Sequence, residues 1–343
     1  MNLHDLGWDD GFAAALEPYD NCIPARVSTQ HRGEYDVLAE HGELRARVSG
    51  RLRHEASSGA DLPAVGDWVA LREQTIHGVL PRRSAFLRKV AWSQTEAQVL
   101  AANVDTVFVV TGLDEDFSPR RIERYLTLAW ESGAMPALVL TKTDLCDDPY
   151  ARLLEAEQVA VGVPSHLVSN LTGEGVDELS AYLAPAKTIA LLGSSGVGKS
   201  SLANRLLGSE VQATKELAED GTGRHTTTAR QLLRLPAGAL LVDTPGLREI
   251  QLWEADGGIH EAFADVDELA AGCRFNDCAH THEPGCAVQV AIEEGRLPRE
   301  RLQSYRALQK ELRRLALKQD ARLRSEERRQ LVARIRSRRK VSW

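Results

Sequence analysis

The chain has 343 residues but only five cysteines, and no stretch approaches the roughly 18 to 20 apolar residues that a membrane helix requires. So few thiols in a chain this long exclude a disulfide scaffold. The missing apolar run excludes a transmembrane helix, and no membrane partner is expected. The leading residues are acidic and lack an apolar core before a cleavage site, so no secretory signal is expected and the chain is assigned to the cytoplasm. No internal repeat is visible. What is present is ordinary for a globular protein: 43% hydrophobic residues with 27% charged argue against disorder, and the length allows two or three domains with their own cores.

The net charge of -7 would argue against a polyanionic partner, but it is unevenly spread. Residues 296–343 carry 17 Lys or Arg against 5 Asp or Glu, a local +12 that leaves the rest of the chain at -19. Such a tail can collect the protein on phosphate backbones while an acidic body limits indiscriminate binding.

Glycine and proline positions divide the chain into four parts. Residues 1–20 read as a flexible leader, interrupted by Gly7, Gly11 and Pro18. Residues 21–92 contain short β-rich runs, Ala25 to Val27, Tyr35 to Leu38, Leu44 to Leu52 and Trp68 to Leu71, which suggest a small β-barrel of the OB type. Over residues 100–256, apolar strands alternate with helices, predicting a mostly parallel three-layer α/β domain of about six strands. Residues 257–343 turn helical around a Cys/His cluster and end in Leu/Arg/Glu-rich helix.

Gly193-Ser194-Ser195-Gly196-Val197-Gly198-Lys199-Ser200 matches the phosphate-loop pattern GxxxxGK[ST] in full. The strand Thr188 to Leu192 precedes it, and Ser201 to Leu207 opens the following helix. Glycines let backbone N–H groups wrap a phosphate, and the helix N-terminus adds a favourable field. Lys199 is expected to reach the β- and γ-phosphates and Ser200 to bind Mg²⁺. Asp243-Thr244-Pro245-Gly246 ends a later apolar strand, where Asp243 can hold Mg²⁺ through water and the Gly246 amide can sense a γ-phosphate. Between them, Gly221-Thr222-Gly223-Arg224-His225-Thr226-Thr227-Thr228 suggests a movable loop in which one of the three threonines completes the Mg²⁺ shell. The assignment goes to Thr227.

Base choice follows from Thr141-Lys142-Thr143-Asp144, again behind a strand. The Asp144 carboxylate can accept from both N1–H and N2–H₂ of guanine, a donor pair that adenine lacks. The Lys142 stem can cover one face of the base. Ser169, Asn170 and Leu171, opening the loop to Gly175, lie where small residues can approach the base oxygen.

The base-recognition motifs precede the phosphate loop and the switch motifs follow it. This rotated order resembles the circularly permuted, ribosome small-subunit-dependent GTPases of bacteria, over about 320 residues. The resemblance implies an N-terminal OB-type barrel, a permuted P-loop GTPase core and a C-terminal zinc module with basic helices. It places Thr226 to Thr228 in the first switch and Asp243 to Gly246 at the start of the second. Lys199 and Gly246 are the expected catalytic groups. Two departures stand out. Thr141 replaces the usual asparagine, whose amide can bridge the base and the phosphate-loop backbone, so lower guanine affinity is expected. Leu247 stands where many small GTPases carry a water-positioning glutamine, which predicts slow intrinsic hydrolysis; His225 is the candidate to place water instead.

Cys273, Cys278, His280 and Cys286 offer three thiolates and an imidazole, a closed tetrahedral set for one structural Zn²⁺. Their spacing also matches the resembled family. That family implies GTP hydrolysis stimulated by the small ribosomal subunit during late maturation, with rRNA contacts, GTP and GDP as ligands, and a monomer. The alternative reading is a non-enzymatic RNA-binding switch that uses GTP as a conformational ligand. A P-loop kinase would not explain the paired base-recognition loops.

Overall fold

The computed structural model describes residues 1–89, 97–208, 230–243, 256–281 and 283–319. They belong to two compact units, Met1–Gln251 and Leu252–Trp343.

The first unit begins with a barrel. Strands β1 (Ile23–Gln30), β2 (Tyr35–Ala39), β3 (Gly42–Val48), β4 (Trp68–Arg72) and β5 (Thr75–Val79) close in the order β1-β2-β3-β5-β4-β1. Alternation explains the closure: Tyr35, Val37 and Ala39 of β2 point inward with Val27, Ala46, Val69 and Ile76, forming an apolar interior. The expected strand Leu44 to Leu52 is shorter. It ends at Val48 because the Ser49 hydroxyl accepts from the Leu52 amide and starts helix α2 (Gly50–Glu55).

Residues 4–16, expected to lie in a loose leader, instead form a short 3₁₀ turn and helix α1 (Asp10–Leu16). The Asp9 carboxylate caps α1 by accepting from the Gly11 and Phe12 amides. Aromatic packing then holds it: Phe12 is buried, and the Trp8 ring lies 4.8 Å from that of Trp68. A hairpin of β6 (Ala85–Lys89) and β7 (Ala97–Ala102) follows the barrel.

The nucleotide-type sheet is built from β8 (Thr106–Gly112), β9 (Met135–Thr141), β10 (Ser165–Leu167), β11 (Thr188–Leu192), β12 (Arg230–Arg234) and β13 (Leu240–Asp243). Its order is β10-β9-β8-β11-β13-β12, parallel except for β12. Val107 to Val110 and Ala137 to Leu140 are wholly buried, as strands covered on both faces must be. Helix α3 (Pro119–Glu131) starts on Pro119 and buries Ile122, Leu126 and Ala129; helices α4 (Pro149–Glu157) and α5 (Lys199–Leu207) complete the parts that matter here.

Strand β1 joins barrel to sheet. Its first half pairs with β4, a bulge follows near Ser28, and Thr29 and Gln30 then pair with Gln231 and Arg230 of β12. A bulge that re-aims a strand allows one strand to serve two sheets.

In the second unit, α6 (Asp256–Ala262) and α7 (Ala264–Ala270) precede the Cys/His cluster along the chain, and α8 (Ala287–Glu293) and α9 (Arg299–Gln319) follow it. Leu302, Tyr305, Leu308 and Leu312 form the buried stripe of α9. Arg301 is anchored by the two Asp265 oxygens at 2.9 and 3.0 Å and lies over the Phe263 ring.

Candidate functional site

The carboxyl ends of β8, β9, β10 and β11 converge, and their loops form the site. After β11 the chain turns at Gly193 with φ +154°, where a Cβ would lie 2.2 Å from the Val110 carbonyl oxygen. Only glycine lets the phosphate loop pass that close to β8. The loop runs through Ser194, Ser195, Gly196, Val197 and Gly198 into α5, whose first turn holds Lys199, Ser200 and Ser201. Lys199 is buried. Its Nζ donates to the Gly193 oxygen at 2.8 Å and to the Ser194 oxygen, so the ammonium is held over the loop it belongs to. Tyr125 of α3 reaches the same loop, with its hydroxyl 3.1 Å from Ser194 Oγ.

Asp243 ends β13. Since Ala190 pairs with Val242 in the parallel β11–β13 ladder, Asp243 stands beside the strand that delivers the phosphate loop. Ser200 and Asp243 supply oxygen donors only, the chemistry a hard divalent cation such as Mg²⁺ accepts.

After β9, Lys142 takes a left-handed backbone conformation, φ +61°, uncommon for a side-chain-bearing residue. It turns the chain so that Asp144 is exposed beyond the carboxyl end of β9. Lys142 Nζ pairs with Asp114 Oδ2 at 2.5 Å. Burial pushes the Asp114 carboxyl up, but the Lys142 hydrogen bond and charge and the Asp116 amide outweigh it, and the net shift is downward. Asp144 Oδ1 accepts from Ser169 Oγ at 2.5 Å, which links the two base-side loops. Thr141 is buried, and its hydroxyl lies 2.5 Å from the Val197 oxygen of the phosphate loop. Arg205 of α5 donates from Nε at 3.1 Å to the Asn170 oxygen and from Nη2 at 3.2 Å to that of Leu171. Leu171 itself is 79% exposed.

The four cluster residues also come together. The ligand atoms of Cys273, Cys278, His280 and Cys286 lie within 4.8 Å of one another. His280 Nδ1 is 3.5 Å from both Cys273 and Cys286 Sγ, and those two sulfurs are 3.9 Å apart. A tetrahedral metal with bonds of about 2.0 to 2.3 Å puts its ligands about 3.5 to 3.8 Å apart, so the set fits. Burial lowers the His280 pKa, favouring the neutral imidazole that a metal needs. For Cys273, burial acts upward, but the Val288 and Ala287 amides at the start of α8 prevail and lower the thiol pKa.

A sequence model of the RsgA GTPase family matches residues 79–253. Curated relatives extend the match across the chain. The "Small ribosomal subunit biogenesis GTPase RsgA" of Opitutus terrae is 49% identical over 329 residues, covering 91% of this chain and 90% of the relative. "RsgA 2" of Lactiplantibacillus plantarum is 47% identical over 318 residues, with 91% and 90% covered. The chain belongs to the RsgA GTPase family. Among solved structures, YjeQ from Thermotoga maritima aligns with a TM-score of 0.64 at 29% identity, covering 84% of this chain and 98% of that one. YloQ, described as a circularly permuted GTPase, shares the fold with a TM-score of 0.60 at 22% identity, covering 86% and 96%.

As an RsgA GTPase the chain is a GTP hydrolase with a barrel, a permuted core and a Cys₃His cluster. Among the residues expected to serve the site, His225, Thr226, Thr227, Thr228 and Gly246 lie outside the described residues, as does the tail from 320 onward. Asp114, Tyr125 and Arg205 escaped the sequence reading. Asp114 alone carried a signal, an acid just beyond a buried strand of the same sheet; the other two act through tertiary contacts that no spacing reveals. Among the described residues, no helix is long and apolar enough to cross a membrane.

Proposed function

We propose that the chain hydrolyses GTP in step with binding to the small ribosomal subunit and its rRNA, in the late maturation of that subunit. The observation that carries this reading is the convergence of two base-side loops, around Asp144 and Ser169, with the phosphate loop at the carboxyl ends of the strands. The printed names of the relatives add the ribosomal context.

In this reading Asp144 accepts from guanine N1–H and N2–H₂, Lys142 covers the base, and the Ser169 to Leu171 backbone meets its oxygen. The amides of residues 193–201 cradle the phosphates. Lys199 leaves its loop carbonyls for the β- and γ-phosphate oxygens, where its charge offsets that developing as water attacks the γ-phosphorus and the β–γ bridging bond breaks. Ser200, Thr227 and Asp243 would hold Mg²⁺, which would supply further charge neutralisation during the transfer. Gly246 offers its amide to the γ-phosphate, and His225 orients the water. Cys273, Cys278, His280 and Cys286 would hold one Zn²⁺ in a structural role, since all four ligands come from the protein. The chain works as a cytoplasmic monomer, with residues 1–20 leading into a barrel at 21–92, the GTPase core at 100–256 and the zinc-binding basic module at 257–343.

The test is GTP turnover of the zinc-loaded full chain across a titration of purified small subunits. Saturable acceleration, abolished by Lys199→Ala, is expected. Turnover that subunits never accelerate would refute the coupling, and absence of turnover under all conditions would favour the non-enzymatic switch.

A further inference from the structure

The motif Thr141-Lys142-Thr143-Asp144 lacks the asparagine amide that would tie the base side of the site to the phosphate loop. We infer that Asn170, on the following loop, supplies that tie, and that Asn170 and Thr141 together lock the guanine-binding loops onto the phosphate loop. This rests on the guanine-nucleotide reading of the site.

The Thr141 hydroxyl has one proton, directed to the Val197 oxygen at 2.5 Å with the Thr111 oxygen at 3.3 Å as a second acceptor, so it has no donor left for the next carbonyl. The next carbonyl along the loop, that of Gly198, accepts from Asn170 Nδ2 at 3.1 Å. Two consecutive carbonyls of the phosphate loop are thus held by side chains from two different base-side loops. Both close on the same bend: a Cβ added to Gly198, where φ is +93°, would lie 2.9 Å from Asn170 Nδ2 and 3.6 Å from Thr141 Oγ1. The Asn170 backbone is fixed as well, through the Arg205 bonds from the helix that the phosphate loop opens.

The other end of the Asn170 amide argues for a role beyond packing. Its Oδ1 is buried and has no hydrogen-bond partner. Leucine would occupy a similar volume without burying an unpaired acceptor, so fold stability favours leucine here. The bond to Gly198 is what the amide provides in return. With the two loops held at fixed separation, a nucleotide makes its base and β-phosphate contacts without first ordering the loops. Both GDP and GTP carry a β-phosphate, so both depend on the tie equally.

The experiment measures equilibrium binding of GDP and of a non-hydrolysable GTP analogue, the GDP dissociation rate, and thermal stability without nucleotide. It uses the full chain as wild type, Asn170→Leu, Asn170→Ala, and Asn170→Leu combined with Thr141→Asn. Asn170→Leu is expected to weaken both nucleotides by about tenfold, the loss of roughly one hydrogen bond, with faster GDP release and no fall in unliganded stability. Thr141→Asn in that background is expected to restore most of the affinity. Asn170→Ala reports the same loss if leucine does not fit. Affinity within twofold of wild type in both single variants would overturn the inference. So would a loss matched by unliganded destabilisation and not recovered by Thr141→Asn, which would leave Asn170 a packing residue. A wild type that binds no guanine nucleotide would instead overturn the underlying reading of the site.

Discussion

Arg26 is 2% exposed, and the hydrogen bonds of its guanidinium go to neutral oxygens. Nε donates to Gly66 at 3.1 Å, Nη1 to the Leu6 carbonyl, and Nη2 to Asn103 at 3.0 Å and Thr188 Oγ1 at 2.9 Å. Those partners span the N-terminal turn, the barrel, the segment before β8 and the first residue of β11. Burial, acting against the fields of Asp105 and Asp67, lowers the Arg26 pKa to about 10. This corresponds to about 3 kcal/mol of unfavourable desolvation that is fully present at neutral pH and relieved only as pH rises past that value. Arg26→Met removes this penalty but leaves the buried Leu6 and Asn103 carbonyls without the Arg26 donor, at about 1 to 3 kcal/mol each, while the Gly66 oxygen keeps its bond from Asn103 Nδ2 at 3.1 Å and the Thr188 hydroxyl can turn elsewhere. The net expectation is a loss of about 1 kcal/mol, a measurable part of the 5 to 15 kcal/mol that a domain has in total. Urea unfolding followed by tryptophan fluorescence is well placed to see it, because the guanidinium lies 5.7 Å from the Trp68 ring. A variant as stable as wild type, or more so, would show that desolvation outweighs the four bonds and would refute the argument.

Two further outcomes are expected. Asp114→Asn should weaken GDP binding about threefold to tenfold by loosening Lys142, measured by nucleotide titration. The Asp114 pKa is depressed in the folded protein, so the Asp114–Lys142 pair stabilises the fold above the unfolded carboxylate pKa of about 3.9 and loses this effect as pH falls through the lower folded value. The stability difference between wild type and Asp114→Asn, read by denaturation, should therefore be flat above about pH 5 and vanish in acid. Cys278→Ala should abolish the single bound zinc and unfold the region around α7 and α8, since structural zinc contributes on the order of 10 kcal/mol to such modules, while nucleotide binding in the first unit persists. Elemental analysis with limited proteolysis checks both parts.

Legibility followed the range of the interactions. Strands β8, β9 and β11 were readable because burial on both faces leaves an unbroken apolar run, and the phosphate loop because its chemistry fixes four positions, Gly193, Gly198, Lys199 and Ser200, at once. Ser49 was harder: an apolar pattern through Leu52 reads as strand, and only the hydroxyl's bond to the Leu52 amide turns it into a helix start. Residues 4–16 were misread because Gly7 and Gly11 argue against helix locally, whereas the packing of Trp8 and Phe12 on Trp68 is a contact across some sixty residues of sequence. Thr141 was identified as a departure from the usual motif, yet the residue that meets the next carbonyl, Asn170, was seen only as part of a small loop. A compensating side chain on another loop has no signature in spacing.

The rotated order of motifs also changes where the other modules attach. In the sheet, β8 and β13 are the two neighbours of β11, the strand that delivers the phosphate loop. The barrel and its hairpin enter the sheet at the amino end of β8, where Asn103 and Thr188 meet Arg26. The chain continues toward the Cys/His unit from the carboxyl end of β13, at Asp243. One module is therefore anchored at the opposite end of the strands from the nucleotide loops, by a buried arginine and a short β1–β12 ladder. The chain that leads to the second unit leaves β13 at the loop end, after Asp243. A chain in the unrotated order would join the base-side strands after β13, and the tether to a following module would leave from the far edge of the sheet. Permutation keeps the strands and loops of the site and lets the chain leave β13 on the side of the phosphate loop.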